Sequence, residues 1–237
     1  MSKRLSVIIP AYNEEATIGE VIELIYAEPL EPLGLSKELI VVDDGSTDQT
    51  AAIVESLATR YPNLNLLRHA RNEGKGAAIQ TALPHVSGDY VIIQDADLEG
   101  AVHDYQHLLP PLLEGRCRVV FGSRFLKSRW PSGMHWANLA ANRILTGTAN
   151  LLFPGRPISD QSCVYKVFET PLLRSLDLKT MRFEFCAEVT AKLRRRGIEI
   201  VEVPIDYAPR DIAAGKKIRW RDGFSLLGTL IRLRFRE

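Results

Sequence analysis

The chain has 237 residues, 46% of them hydrophobic and 25% charged, the proportions of a globular protein with room for one large domain or two small ones. A formal net charge of +1 excludes nucleic-acid binding driven by overall charge, so an anionic partner must meet a local cluster of Lys and Arg. Three cysteines, Cys117, Cys163 and Cys186, stand far apart without a CxxC pair, which excludes the usual patterns of a disulfide framework or a zinc site.

The elements follow in chain order. Met1 to Leu5 leads directly into an apolar run of strand length without a signal-peptide pattern, and no window holds the roughly 20 apolar residues of a membrane span. The expectation is a cytoplasmic protein whose membrane contact, if any, is peripheral. Leu5 to Pro10 reads as a strand, Tyr12-Asn13-Glu14-Glu15 as a loop, and Ile18, Val21, Ile22 and Ile25 as one face of a helix. The unit repeats with a strand at Leu39 to Val42, the polar run Asp43-Asp44-Gly45-Ser46-Thr47-Asp48, and a helix carrying Ile53, Val54, Leu57 and Ala58. A strand at Leu64 to Leu67, a Gly74-Lys75-Gly76 turn with a helix to about Leu83, and a strand at Tyr90 to Gln94 ending in Asp95-Ala96-Asp97 complete this half. Beyond it come a strand from Val119 to Phe121, the segment Gly122-Ser123-Arg124-Phe125, a polar loop through Pro131, helices at His135 to Leu152 and Phe183 to Arg195, and a strand at Ile198 to Val203. No repeat or linker interrupts the chain, so a single domain is expected.

Short apolar strands alternating with helices predict an α/β fold, with a mainly parallel sheet covered on both faces. Ligands in such sheets collect at the carboxyl ends of the strands. Asn13-Glu14, Asp43-Asp44 and Asp95-Ala96-Asp97 all fall at that edge, so three parts of the sequence converge on one crevice. If the backbone stays extended, Asp95 and Asp97 point to one face, and a hard divalent cation such as Mg²⁺ or Mn²⁺ removes their repulsion, with Glu99 in reach to complete the shell. The same triplet also suits a solvated turn. Asp43 can accept hydrogen bonds from a nucleobase or ribose, although Ser46, Thr47 and Asp48 equally suit a turn and helix cap. Gly74-Lys75-Gly76 permits close backbone approach and offers a cation for phosphate. Ile79 stands where GxGxxG needs its third glycine, and the P-loop pattern is missing too, which sets aside dinucleotide oxidoreductases and NTPases.

Six segments in this order resemble family 2 glycosyltransferases of the GT-A fold, particularly the dolichyl-phosphate or polyprenyl-phosphate sugar transferase branch. They are Val7-Ile8-Ile9-Pro10-Ala11-Tyr12-Asn13-Glu14, Val41-Val42-Asp43-Asp44-Gly45-Ser46-Thr47-Asp48, Asn72-Glu73-Gly74-Lys75-Gly76, Gln94-Asp95-Ala96-Asp97-Leu98-Glu99, Gly122-Ser123-Arg124-Phe125 and Glu202-Val203-Pro204-Ile205. The resemblance covers nearly the whole chain and implies a three-layer αβα sandwich. It further implies a donor half over 1–125, an acceptor part over 126–209 and a basic segment over 210–237. Pro10, Ala11, Tyr12, Glu14 and Asp43 then line the nucleoside pocket of a UDP- or GDP-hexose, with Lys75 and Asp95-Ala96-Asp97 at its diphosphate. Asp95, Asp97 and Glu99 surround Mg²⁺ or Mn²⁺, and Asp95, Asp97 and Arg124 carry the chemistry. Arg124, Arg143, Thr146 and Asp160 meet the acceptor. The chain departs from the mannosyltransferase pattern at Glu99, where Gln is common, and across Ser159 to Lys166.

The implied reaction is an inverting displacement in which the metal stabilises the departing nucleotide diphosphate. A lipid-phosphate acceptor is already anionic, whereas a sugar hydroxyl needs a base, for which Asp160, Glu184 and Glu188 are the candidates. The tail favours the lipid: Lys216, Lys217, Arg219, Arg221, Arg232, Arg234 and Arg236 accompany Trp220, Phe224, Leu227 and Ile231 at helical spacing. That pattern suits a basic amphipathic helix in a headgroup layer, and equally a helix packed on the domain. A nucleotidyltransferase would need a Gly-rich basic loop after the first strand, which Pro10 to Glu14 does not provide. A non-catalytic binding module of the same fold, a membrane-protein partner and a homo-oligomer stay open.

Overall fold

The apolar run at the N-terminus forms β1 (Lys3–Ala11), buried from Leu5 to Ile9, and feeds α1 (Ile18–Ala27), whose Ile18, Val21, Ile22 and Ile25 are all buried. β2 (Leu35–Asp43) and α2 (Thr50–Ala58) repeat the unit, followed by β3 (Leu64–Arg68), α3 (Lys75–Ala82) and β4 (Tyr90–Ile93). Two short helices, α4 (Tyr105–Leu108) and α5 (Pro110–Leu113), precede β5 (Val119–Ser123). Then come α6 (Trp136–Leu152), β6 (Lys166–Glu169), α7 (Thr170–Ser175), α8 (Phe185–Arg195), β7 (Val201–Pro204) and α9 (Trp220–Phe235). This computed structural model describes residues 3–208 and 220–235, without the side chains of 220–222 and 224. Of the C-terminal cations expected to act on anions, Lys216, Lys217, Arg219, Arg221 and Arg236 therefore lie outside the described residues or side chains.

The strands form one sheet in the order β3-β2-β1-β4-β6-β5-β7. Every neighbouring pair is parallel except those made by β6, which runs antiparallel between β4 and β5. Alternate residues of each strand feed two cores, as a period of two requires. Val7, Ile9, Leu39, Val41 and Ile92 meet the α1 and α4 side, while Ile8, Ile40, Val42, Val91 and Ile93 meet the α3, α7 and α8 side. α8 serves two layers, since Phe185, Val189 and Leu193 pack on the sheet and Ala187 and Ala191 pack against α6 and α9.

The sequence did not indicate β6, α4, α5 or α7. β6 is four residues long and starts at Lys166, a charged residue the structure buries completely. Its ammonium donates to the carbonyls of Cys163, at 2.5 Å, and Gln161, and lies 4.6 Å from the Phe121 ring centre, so the charge is satisfied by backbone oxygens and an aromatic face. Of the stripe expected on α9, the side chains of Trp220 and Phe224 lie outside those described, Leu227 is partly buried and Ile231 is exposed, while Leu226, Thr229, Leu230 and Leu233 are buried. The helix therefore packs on α6 and α8, with Ile231 and Phe235 left on its outer side.

Gly74-Lys75-Gly76 has a packing role that the sequence concealed. A Cβ on Gly76 would lie 2.2 Å from the Thr180 carbonyl oxygen, and one on Gly74 2.5 Å from that of Met181. Ala77 N–H donates to the same Met181 oxygen at 2.8 Å. The glycines thus admit the 180–182 backbone. Gly76→Ala is expected to destabilise the protein by roughly 2 kcal/mol through overpacking, read from urea denaturation. An unchanged midpoint would mean that this segment yields without cost.

Candidate functional site

In the order β3-β2-β1-β4 the chain reverses direction of travel across the sheet between β1 and β4, and the crevice outside their carboxyl ends is where an open parallel sheet takes ligands. The loops there are laced together. Asp44 N–H donates to Ala11 O at 2.7 Å, Asn13 Oδ1 accepts Thr47 N–H at 2.8 Å, and Glu14 N–H donates to Thr50 Oγ1 at 2.8 Å. Thr17 Oγ1 reaches across the reversal to donate to Ala96 O at 2.7 Å. Pro10, Tyr12, Glu14, Asp43, Asp95, Asp97 and Glu99, predicted from separate segments, thus share one edge.

The two aspartates after β2 have different duties. Asp44 is buried and holds the following loop, with Oδ1 accepting from Glu73 N–H at 2.9 Å and facing His69 Nδ1 at 2.7 Å, and Oδ2 accepting from Gly74 N–H at 2.8 Å. Asp43 accepts Ser46 N–H at 3.2 Å, and its Oδ2 lies 3.8 Å from Arg68 Nε.

After β4 the backbone leaves the extended form that would align Asp95 and Asp97 on one face. The strand stops at Ile93, the last ladder bond runs from Gln94 N–H to Ile8 O at 3.0 Å, and Leu98 takes a left-handed φ of 58°. The carboxylates are presented by a turn, within which Glu99 N–H donates to Asp97 Oδ1 at 3.1 Å. Gln94 secures that turn from below. Its buried amide oxygen accepts from Tyr105 OH at 2.9 Å and Tyr165 OH at 3.0 Å, and its amide nitrogen donates to Asp95 O at 3.0 Å. Burial holds both phenols well above the ordinary tyrosine value, so they stay donors.

Lys75, at the start of α3, pairs with Asp95 Oδ1. Burial lowers the ammonium's pKa, but Asp95, then Cys186 and Asp97, outweigh it and leave the value above that of an ordinary lysine. A cation already stands against one carboxylate of the triplet. Asp95, Asp97 and Glu99 offer only oxygen donors, the kind a hard divalent ion takes, but among the described residues they do not converge into one cluster as placed.

On the far side of the crevice Arg124, just past β5, forms a two-pronged pair with buried Asp160. Nε donates to Oδ2 at 2.7 Å and a terminal nitrogen to Oδ1 at 2.8 Å, while Asn142 Nδ2 adds a third bond at 2.7 Å. Desolvation pushes the Asp160 carboxyl upward, but Arg124 and Asn142 overcome it and hold it below the ordinary carboxylate value. Glu202, on β7, accepts the Ser159 and Asp160 N–H groups at 2.7 and 3.0 Å and so fixes this loop. Tyr207 joins the two sides. Its ring centre lies 4.9 Å from the Arg124 guanidinium, and its hydroxyl is pushed up to about 12, first by burial and next by the Glu99 carboxylate beside it.

The other two predicted acceptor residues, Thr146 and Arg143, lie on α6. Thr146 is buried behind Asp160, donating to Asn142 Oδ1 at 2.8 Å and accepting Gln161 N–H at 3.0 Å. Arg143 is exposed, 4.4 Å from the Phe125 ring centre, and donates to Arg129 O at 3.3 Å. The candidate bases are also engaged. Glu188 accepts from Lys179 N–H, Thr180 N–H, Thr180 Oγ1 and the Lys192 ammonium, and despite burial these hold it below the ordinary value. Glu184 accepts the Ser225 hydroxyl from α9. Thr17, Asn142, Tyr165 and Tyr207 escaped sequence reasoning as contributors. Asp44, Gln94 and Glu202 appeared there within their motifs, but without the loop-holding roles they have here.

A mainly parallel sheet with carboxylate-bearing loops at its switch point is the architecture of the GT-A glycosyltransferases. The chain belongs to glycosyl transferase family 2, whose sequence pattern matches residues 6–176. It is similar to a dolichyl-phosphate beta-glucosyltransferase of Trichomonas vaginalis, 29% identical over 97% of this chain and 72% of the relative. A dolichyl-phosphate beta-glucosyltransferase of Dictyostelium discoideum is 27% identical over 98% and 74%. An undecaprenyl-phosphate 4-deoxy-4-formamido-L-arabinose transferase of Edwardsiella ictaluri is 28% identical over 90% of this chain, which spans 62% of that relative's length. Among solved structures, glucosyl-3-phosphoglycerate synthase of Mycobacterium tuberculosis, in complex with Mn²⁺, UDP-glucose and phosphoglyceric acid, superposes with a TM-score of 0.71. It is 22% identical over 98% of this chain and 80% of that one, a likeness of fold.

Proposed function

We propose that this glycosyltransferase moves a hexose from a UDP- or GDP-sugar to a polyprenyl phosphate at the cytoplasmic face of a membrane, using Mg²⁺ or Mn²⁺. The observation that carries the choice of acceptor is the state of the acids around the crevice. Asp160 and Glu188 are each saturated by cations and N–H donors and held below the ordinary carboxylate value, which makes both poor proton acceptors. An acceptor that is already anionic needs no base. The names of the relatives point to the same chemistry, two acting on dolichyl phosphate and one on undecaprenyl phosphate.

In this reading Pro10, Ala11, Tyr12, Glu14 and Asp43 hold the nucleoside. Asp95, Asp97 and Glu99 would hold the divalent ion, which when bound supplies positive charge to the donor diphosphate. Lys75 pairs with Asp95 and holds it in position. Arg124, held rigid by Asp160 and Tyr207, offers a fixed positive charge toward the acceptor phosphate, a preorganised arrangement that needs no reorganisation as the sugar transfers. Arg143 sits on the same α6 that carries Asn142 to Asp160, at the rim of the acceptor part.

Peripheral membrane contact is supported by exposed residues of α6, the loop before it and α9. Trp130 and Trp136, Ile144, Leu151, Ile231 and Phe235 are all exposed, Leu151 by 82%, with Arg129, Arg143, Arg232 and Arg234 among them. Tryptophan and arginine side by side suit a headgroup layer. No described helix is long and apolar enough to cross a membrane.

A thermal-shift screen of UDP, GDP and their hexose conjugates, with and without Mn²⁺, tests the donor site, since a ligand that binds the native state raises Tm by mass action. The expected outcome is a metal-dependent rise confined to one base. No rise with any nucleotide at millimolar concentration would contradict the donor reading and favour a non-catalytic module.

A further inference from the structure

A second group of ligand-type side chains lies outside the crevice. His103, from the segment before α4, Asp104 beside it and Asp206, just past β7, bring three donor atoms within 4.8 Å of one another. His103 Nε2 lies 3.0 Å from Asp206 Oδ2 and 3.8 Å from Asp104 Oδ1. Atoms bound to one tetrahedral ion at about 2.0–2.1 Å stand roughly 3.4 Å apart, so these separations bracket the spacing an ion would impose.

Asp104 supplies an independent reason to expect a ligand. The residue is fully buried, and its Oδ1 is enclosed without a hydrogen-bond partner, while Oδ2 accepts Asp206 N–H at 2.8 Å. A buried carboxylate oxygen left in this state is costly, and a cation among the three groups removes that cost. Lys127 Nζ takes the other oxygen of Asp206, at 2.5 Å, which leaves Oδ2 turned toward His103. His103 and Asp206 reach solvent, with 59% and 50% of their side chains exposed, so an ion has a path in.

We propose that His103 Nε2, Asp104 Oδ1 and Asp206 Oδ2 form a site for a divalent transition metal of the Zn²⁺ class, separate from the carboxylates after β4, with water completing the shell. One imidazole nitrogen and two carboxylate oxygens are a borderline donor set that favours Zn²⁺ or Co²⁺ over Mg²⁺, in contrast to the oxygen-only set of Asp95, Asp97 and Glu99. The site joins the segment leading into α4 to the chain after β7. Asp206 immediately precedes Tyr207, which stands against Arg124 and Glu99, so an occupied site stiffens the wall of the crevice from behind.

The test is Zn²⁺ titration by calorimetry on the full, metal-stripped chain with millimolar Mg²⁺ present to occupy hard carboxylate sites, repeated as Tm against Zn²⁺ concentration. Wild type is expected to bind Zn²⁺ and gain stability with it. His103→Gln, a surface change whose fold circular dichroism checks, is expected to lose at least tenfold in affinity together with the Tm gain. Asp97→Asn is expected to keep both. With Co²⁺, wild type and Asp97→Asn are expected to show the intense visible bands of a low-coordinate ion, and His103→Gln is not. Equal Zn²⁺ affinity in wild type and His103→Gln, loss of binding on Asp97→Asn alone, or no Zn²⁺ uptake by wild type would each overturn the proposal.

Discussion

Asp97→Asn is expected to lower kcat/KM for sugar transfer by roughly 10² to 10³ while leaving the fold intact, the scale seen when one preorganised charge is removed from a transition state. Asp97 stands in the turn after β4, at the reversal between β1 and β4, and is only partly buried. The isosteric amide can still accept the Glu99 N–H that Oδ1 now accepts at 3.1 Å, so the turn keeps its shape and only the negative charge goes. Steady-state transfer rates combined with a thermal melt separate the two effects. A variant with an unchanged melt and activity within about threefold of wild type would remove the metal from the account.

Asp160→Asn is expected to act on stability and activity together. It leaves the Arg124 guanidinium, of which only 13% is exposed, without its buried counter-charge, and breaking a buried pair in this way costs roughly 3–5 kcal/mol. Transfer should fall as well, because the amide keeps an acceptor for only one of the two prongs that hold Arg124 toward the crevice. The pH dependence follows from the depressed folded-state value of Asp160. A carboxyl with a lower pKa folded than unfolded contributes fully above its unfolded value, near 3.9, and that contribution is lost as pH falls from there through the folded value. Urea midpoints measured from pH 6 down to pH 3 are therefore expected to fall more steeply for wild type than for Asp160→Asn below about pH 4. Parallel curves would mean that the pair contributes nothing to stability.

The first 100 residues were legible because their strands are buried on both faces and their helices on one, so the switch from continuous apolar runs to 3.6-residue spacing is visible in the sequence. The second half was harder for physical reasons that particular residues make plain. β6 lies inside the sheet yet begins with Lys166, whose charge is met by carbonyls of its own preceding loop, a compensation that no periodicity reveals. α9 carries apolar residues on two sides, and only contact with Leu145, Ala149 and Ala191 selects Leu226, Leu230 and Leu233 as the inner set. The residues after β1, β2 and β4 could be grouped from the sequence because a parallel sheet sends them to one edge. Asp160 was named as an acceptor residue and a candidate base, and Thr146 as an acceptor residue. Both are committed to a buried network whose members come from α6, the loop before β6 and β7, and pairings that distant in sequence leave no local signal. Gly74 and Gly76 suggested phosphate, yet they sit against the 180–182 backbone because a glycine signals close approach without saying to what.

The most direct test of the account is transfer of radiolabelled hexose from the UDP- or GDP-sugar chosen by the thermal-shift screen to polyprenyl phosphate in vesicles, with Mn²⁺ or with EDTA. Label is expected in the lipid extract, and its appearance there is expected to require both the lipid phosphate and the divalent ion. Label that reaches only a sugar hydroxyl or water, or transfer to lipid that is undiminished in EDTA, would contradict it.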